Sequence, residues 1–261
     1  MVELYEKQIN ELEDLEDIAD ILTRDEQYTK NILKYINNPC DADVEKVGKG
    51  VFTIGISKAE SPSLDTLDPA TALTRANNEA MAKLACSGAR FLTAKNVSDR
   101  RINAMGLFKS KKNIIPMSFE SKGDTIYLVG NVNDDSEYEI TSDTLHALVK
   151  CAEKEFITSA HYISSNGLFV SLVECCAPNN LGFDITGDGE IEDKEFLFGL
   201  SKYVAIVTVT EEQENDFVDF LYDNSQLLWM EFFRQGLGTP EIVFFLLLYA
   251  LGCSCLTLIL M

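Results

Sequence analysis

Positive charge is scarce in this chain. Its 261 residues include 22 Lys and Arg against 42 Asp and Glu, a net charge of −20. So acidic a surface does not suit a phosphate backbone, which excludes nucleic acid as a primary partner. Paired cysteines are missing too. The seven cysteines form no CxxC, and the CxC at Cys253 and Cys255 sits in an apolar run without partner ligands. That spacing gives neither a zinc site nor a disulfide framework, and the odd count points to a reducing compartment, here the cytoplasm. The N-terminus, MVELYEKQINELED, is acidic and amphipathic and does not read as a signal peptide. No internal repeat is visible.

What is present is ordinary globular composition. Hydrophobic residues make up 46% and charged residues 25%, which excludes a wholly disordered chain and a fibre. Residues 2–36 place Leu4, Ile9, Leu12, Leu15, Ile18 and Ile21 at helical spacing, and Asn37-Asn38-Pro39 stops the pattern. Val51 to Ile54 reads as a short strand. Residues 70–87 read as an alanine-rich helix with Gly88 at its C-terminal cap. Phe91 to Ala94 follows as a strand. The stretch 98–123 is basic and reads as turns. Thr125 to Val129 is a strand, 142–156 a helix and Gly167 to Cys176 another. Tyr203 to Val209 is the clearest buried strand, and Thr210 starts a helix that runs through Leu221. Mixed, loosely alternating elements predict the α/β (α+β) class.

The end of the chain is different. Ile242 to Met261 holds 20 residues without a charge. At about 1.5 Å per residue a helix of that length spans roughly 30 Å, the thickness of a bilayer core. The run predicts a hydrophobic C-terminal helix that is either a membrane anchor or a segment taken into a core.

Four segments in order resemble one family. They are LDPATALTRANNEAMAKLACSGAR at 67–90, KGDTIYLVG at 122–130 with SEY at 136–138, SAHYISSNGLFVSLVECC at 159–176, and NNLGFDI, FLFGLS and the following strand and acidic helix at 179–221. Together they resemble the AIR-synthase-like superfamily, and within it formylglycinamidine ribonucleotide (FGAR) amidotransferase, or phosphoribosylformylglycinamidine synthase. The resemblance implies shortened AIR-synthase-like half-domains: a helical segment at 1–38, an N-terminal half at 39–120, a C-terminal half at 121–225 and an apolar tail at 226–261. It implies ATP-dependent amidation of FGAR to FGAM in purine biosynthesis, with ATP and magnesium as cofactors and a phosphoribosyl nucleotide as substrate. A homo-oligomer is compatible with it.

The same resemblance assigns site residues. Glu79 is the retained magnesium ligand. Ser164 and Gly167 lie in the nucleotide-binding turn, and His161 is the candidate catalytic residue. Departures are numerous. Lys83 stands where the family has Asn, and Tyr162 where it has Asp. Ser164-Ser165-Asn166-Gly167 replaces Ser-Asp-Gly-Gly, and Leu200 replaces an acid. The long region between the half-domains, with its glycine-rich phosphate loop, reads as almost absent, and no segment reads as a glutaminase domain. The reading is therefore of a shortened relative, with activity in this chain open.

Three further readings come from the residues alone. Asp184 to Glu195 matches the EF-hand spacing: Asp184, Thr186, Asp188 and Glu195 would offer side-chain oxygens to calcium, and Glu190 its carbonyl. Pro178, Asn179, Asn180 and Gly182 break the entering helix, so calcium is the alternative cofactor and not the expected one. Arg100, Arg101, Lys109, Lys111 and Lys112 form a basic cluster that either meets a phosphate or is a solvated loop. Leu227 to Phe233 is an aromatic segment for an interface or a core. The alternatives to the synthase reading are thus a non-catalytic interaction subunit, a calcium module and a tail-anchored membrane protein.

Overall fold

A computed structural model describes residues 40–50, 52–61, 68–131, 140–164, 167–183, 196–197, 203–223 and 227–232. The N-terminal helical segment, the EF-hand-like loop from Asp184 to Glu195, Leu200 and the apolar run at 242–261 lie outside them. Among the described residues, no helix is long and apolar enough to cross a membrane.

Two antiparallel four-stranded sheets form the frame. The first contains β1 (Asp43–Val47), β2 (Phe52–Glu60), β3 (Arg90–Asn96) and β4 (Arg101–Leu107), in the order β1-β2-β4-β3. Helix α1 (Pro69–Cys86) covers one face of this sheet, with Ala76, Ala80 and Leu84 packed on Ile102, Ala104 and Phe108. Alanine on the helix lets it approach the strands closely. Asp68 caps α1: its Oδ1 accepts from the amides of Ala70 (2.9 Å) and Thr71 (3.1 Å). Pro69 fills the first turn, where no amide hydrogen is needed. At the other end Gly88 has φ +84°, and a Cβ there would lie 2.0 Å from the carbonyl oxygen of Asn113. Only glycine fits that turn.

The reading of 98–123 as turns is corrected here. Arg101–Leu107 is an inner strand of the first sheet, paired with both β2 and β3. Its alternation is real, with Ile102, Ala104 and Gly106 buried, but Gly106 and Ala104 carry too little side chain to read as an apolar face. Its flanking arginine and lysines mask the pattern further.

The second sheet runs β6-β7-β5-β8, from β5 (Thr125–Asn131), β6 (Ser159–Tyr162), β7 (Tyr203–Val209) and β8 (Leu227–Phe232). All seven residues of β7 are buried, because both faces of this sheet are covered. Ala205, Val207 and Val209 face α2 (Ser142–Glu153) and α4 (Glu214–Asp223). Ile206 faces α3 (Leu168–Cys176). Tyr127 stacks on Phe217 with centroids 5.0 Å apart, and its hydroxyl donates to Glu214 Oε1 at 2.9 Å. Helix α4 starts at Glu214, later than the Thr210 cap predicted: residues 211–213 form a turn in which the Gln213 amide donates to the Thr210 carbonyl. The aromatic segment from Leu227 is strand β8, bonded to β5.

A candidate functional site between the two sheets

The site lies where α1, β6 and α3 meet the segment before β1. Each element brings a side chain. Asp41 comes from the Cys40-Asp41-Ala42 segment, His161 from β6, Glu174 from α3, and Glu79 and Lys83 from successive turns of α1. The segment carrying Asp41 is fixed by Ser87, whose Oγ accepts from the Ala42 amide (2.9 Å) and donates to the Lys83 carbonyl (2.8 Å).

His161 is held from both sides. Its Nδ1 lies 2.6 Å from Asp41 Oδ1 and its Nε2 lies 3.1 Å from Glu174 Oε2. Asp41 Oδ2 accepts from the Tyr162 amide at 2.7 Å. The three side chains are nearly inaccessible, 4% exposed for His161, 1% for Asp41 and 6% for Glu174. Burial works to drive the imidazole proton off. The charge and hydrogen bond of Asp41, joined by Glu174, outweigh it and push the pKa up to about 10. His161 is therefore an imidazolium at neutral pH, bridging two carboxylates.

Beside this bridge Lys83 forms an ion pair with Glu79, one helical turn apart. Burial opposes the Lys83 charge, but Glu79 and, more weakly, Asp41 and Glu174 raise its pKa on balance. Burial pushes the Tyr162 phenol upward, helped by the Glu79 charge and opposed by Arg75. These couplings put Glu79, Lys83, Tyr162 and His161 in one neighbourhood. Nearby thiols are held protonated: burial pushes Cys40 up to about 12 and raises Cys86, and the five described cysteines are all free and buried.

The sequence-assigned residues fall as follows. Glu79 lies near His161, through its couplings to Lys83 and Tyr162. Gly167 is the N-cap of α3 with φ +90°, and its carbonyl accepts from Ser171 Oγ. Ser164 donates its amide to Ser171 Oγ at 3.3 Å. Asp184, Thr186, Asp188, Glu190 and Glu195 are outside the described residues. The chain leading to them leaves α3 at Cys176 through a 3-10 turn, with Asn180 left-handed at φ 51°. Among the described residues no group of three or more His, Cys, Asp or Glu is arranged to hold a metal ion. Asp41 and Glu174 were missed. Glu174 gave a signal, since it is the lone acid in the apolar helix LFVSLVECC and a buried acid needs a partner. Asp41 gave none.

No family model matches the chain. Comparison with known proteins finds similarity in sequence and in structure. PurL, the phosphoribosylformylglycinamidine synthase subunit of Carboxydothermus hydrogenoformans, is 32% identical over 125 residues. The aligned part is 40% of this chain and 17% of that protein. The solved structure of Thermotoga maritima PurL complexed with ATP superposes with a TM-score of 0.64 at 13% identity, over 87% of this chain and 48% of PurL. The chain resembles PurL. Its fold is AIR-synthase-like, and it spans about half the length of the PurL structures that it matches. Thiamine-monophosphate kinase from Stenotrophomonas maltophilia shares the fold at a TM-score of 0.52 and 13% identity, and there the match covers 93% of that enzyme.

Proposed function

We propose that this chain is a PurL-like protein of purine biosynthesis that keeps the scaffold of the nucleotide site but does not make FGAM by itself. The observation that carries this is the ammonium of Lys83 on the Glu79 carboxylate. The resemblance gives Glu79 to magnesium. Magnesium takes hard oxygen ligands, usually one or two carboxylates with substrate phosphates. A carboxylate already neutralised by an internal ammonium is a poor ligand, and His161, Asp41 and Glu174 saturate one another. The donor set does not fit magnesium. Phosphoryl transfer then lacks the cation that would hold its developing charge. His161 acts as a positioning residue, tying β6 to α3 and to the segment before β1. T. maritima PurL has been solved with ATP and with FGAR, which supports a purine nucleoside triphosphate and a phosphoribosyl nucleotide as this chain's ligand classes.

Incubation with FGAR, ATP, magnesium and ammonium, followed by chromatography of FGAM and ADP, tests the reading. The expected result is no product above a no-enzyme control, while calorimetry detects ATP binding that is the same with and without magnesium. Turnover of FGAR would overturn the inactivity. Failure to bind either ATP or FGAR would overturn the ligand assignment.

A further inference from the structure

The basic cluster read from the sequence is divided by the fold. Arg101 stands at the start of β4, where its guanidinium pairs with Glu60 at 2.5 Å. Lys109 and Lys111 follow the end of the same strand, about 20 Å away at the rise of a seven-residue strand. There they join two cations from elsewhere in the chain, Arg90 at the start of β3 and Lys150 in the last turn of α2. The four line a cavity of about 660 Å³ between the end of the first sheet and α2. That volume is typical of a small-molecule site.

Among the described residues, one acid lines this cavity. Glu153 accepts from Lys150 Nζ at 2.7 Å and has Lys109 Nζ at 3.8 Å. The bond from Lys150, and then the charges of Lys150, Lys109 and Arg90, hold its carboxyl below the ordinary range against its partial burial. Cations from three elements thus converge on one carboxylate, and the lining still carries an excess of positive charge in a chain of net charge −20. The dipole at the end of α2 accounts for Lys150 but for none of the other three.

The lysine-bearing turn is fixed. Ser110 caps it, accepting from the Lys112 amide at 3.2 Å. Asn113 Nδ2 donates to the Ala152 carbonyl at 2.9 Å, tying the turn to the end of α2. Four cations held at one cavity repel one another unless an anion offsets them. Phe52, 54% exposed, adds an aromatic ring to the lining.

We propose that this cavity binds a phosphorylated small molecule carrying at least two negative charges. None of its lining residues belongs to the His161 network, so it is a separate site from the one described above. The excess charge recognises phosphate, and Glu153 limits affinity by holding Lys150 and Lys109.

Calorimetry on the full chain at low salt, with inorganic pyrophosphate and ATP as probes, tests this. The expected result is pyrophosphate binding that falls about tenfold or more, beyond 1.4 kcal/mol, when Lys109 and Lys111 are both changed to Ala. It is retained in Arg101→Ala, at the far end of β4, and in Lys83→Ala, within the other site. Glu153→Gln binds more tightly. ATP binding that persists in the Lys109 and Lys111 double variant while pyrophosphate binding is lost separates the two sites. No pyrophosphate binding, or binding that the Lys109 and Lys111 changes leave intact, overturns the proposal.

Discussion

Charge buried at His161 has a consequence for pH. Its folded-state pKa is about 10, against an ordinary 6.5. Because the value is raised on folding, its contribution to stability is complete below about pH 6.5 and is lost as pH rises through about 10. Thermal melts across that range should show the melting temperature of the native protein falling more steeply than that of His161→Gln. Equal slopes would mean that the imidazole is not charged in the folded state. Removing the ring leaves Asp41 and Glu174 buried without their cation. His161→Ala should therefore cost about 3–5 kcal/mol in urea denaturation, the range for breaking a buried ion pair. Both predictions concern a histidine that the sequence singled out. Its carboxylate partners lie 120 residues before it and 13 after it, and no local pattern links positions so far apart.

Among the elements, the end of α1 is the most constrained. Its turn must pass beneath Asn113, whose side chain also anchors the end of α2. Gly88→Ala adds a Cβ at positive φ and into a carbonyl oxygen. Its expected cost is at least about 2 kcal/mol, from left-handed backbone strain and overpacking together. A midpoint in urea indistinguishable from the native one would refute this. Helix α4 is anchored by two buried residues, Leu221 and Phe217, the latter packed on Tyr127. Phe217→Ala should destabilise by about 3–5 kcal/mol, read by the same denaturation. Glycine at 88 and the cap and acids that open the helix through Leu221 were both visible in the sequence, since each is a local signal. Strand β4 was not, because its partners β2 and β3 establish it and its own residues hide it.

At the scale of the whole molecule, the acidic chain gathers its exceptional features at two places, the His161 network and the Lys109 cavity. The apolar run from Ile242 to Met261 is a third, known from the sequence alone. Its burial must be met by bilayer, partner or core, at about 25 cal/mol per Å² removed from water. The full chain is expected to pellet with membranes or to aggregate, and a chain ending at Gly238 to remain in the supernatant. Recovery of the full chain as a detergent-free monomer, with the run protected from protease, would place it in a core instead.

The sequence by itself determined the class, the helices and half of the strands of the described parts, the resemblance to FGAR amidotransferase and the replacement of Asn by Lys at 83. Those follow from periodicity, caps and register, all of which act over a few residues. Tertiary structure alone decided that the Lys83–Glu79 pair lies beside His161, that Asp41 and Glu174 hold His161 charged, and that Arg90 and Lys150 join Lys109 and Lys111. Electrostatic energies depend on distance and burial, and residues such as Asp41 and His161 acquire both only when separate strands and helices are packed together.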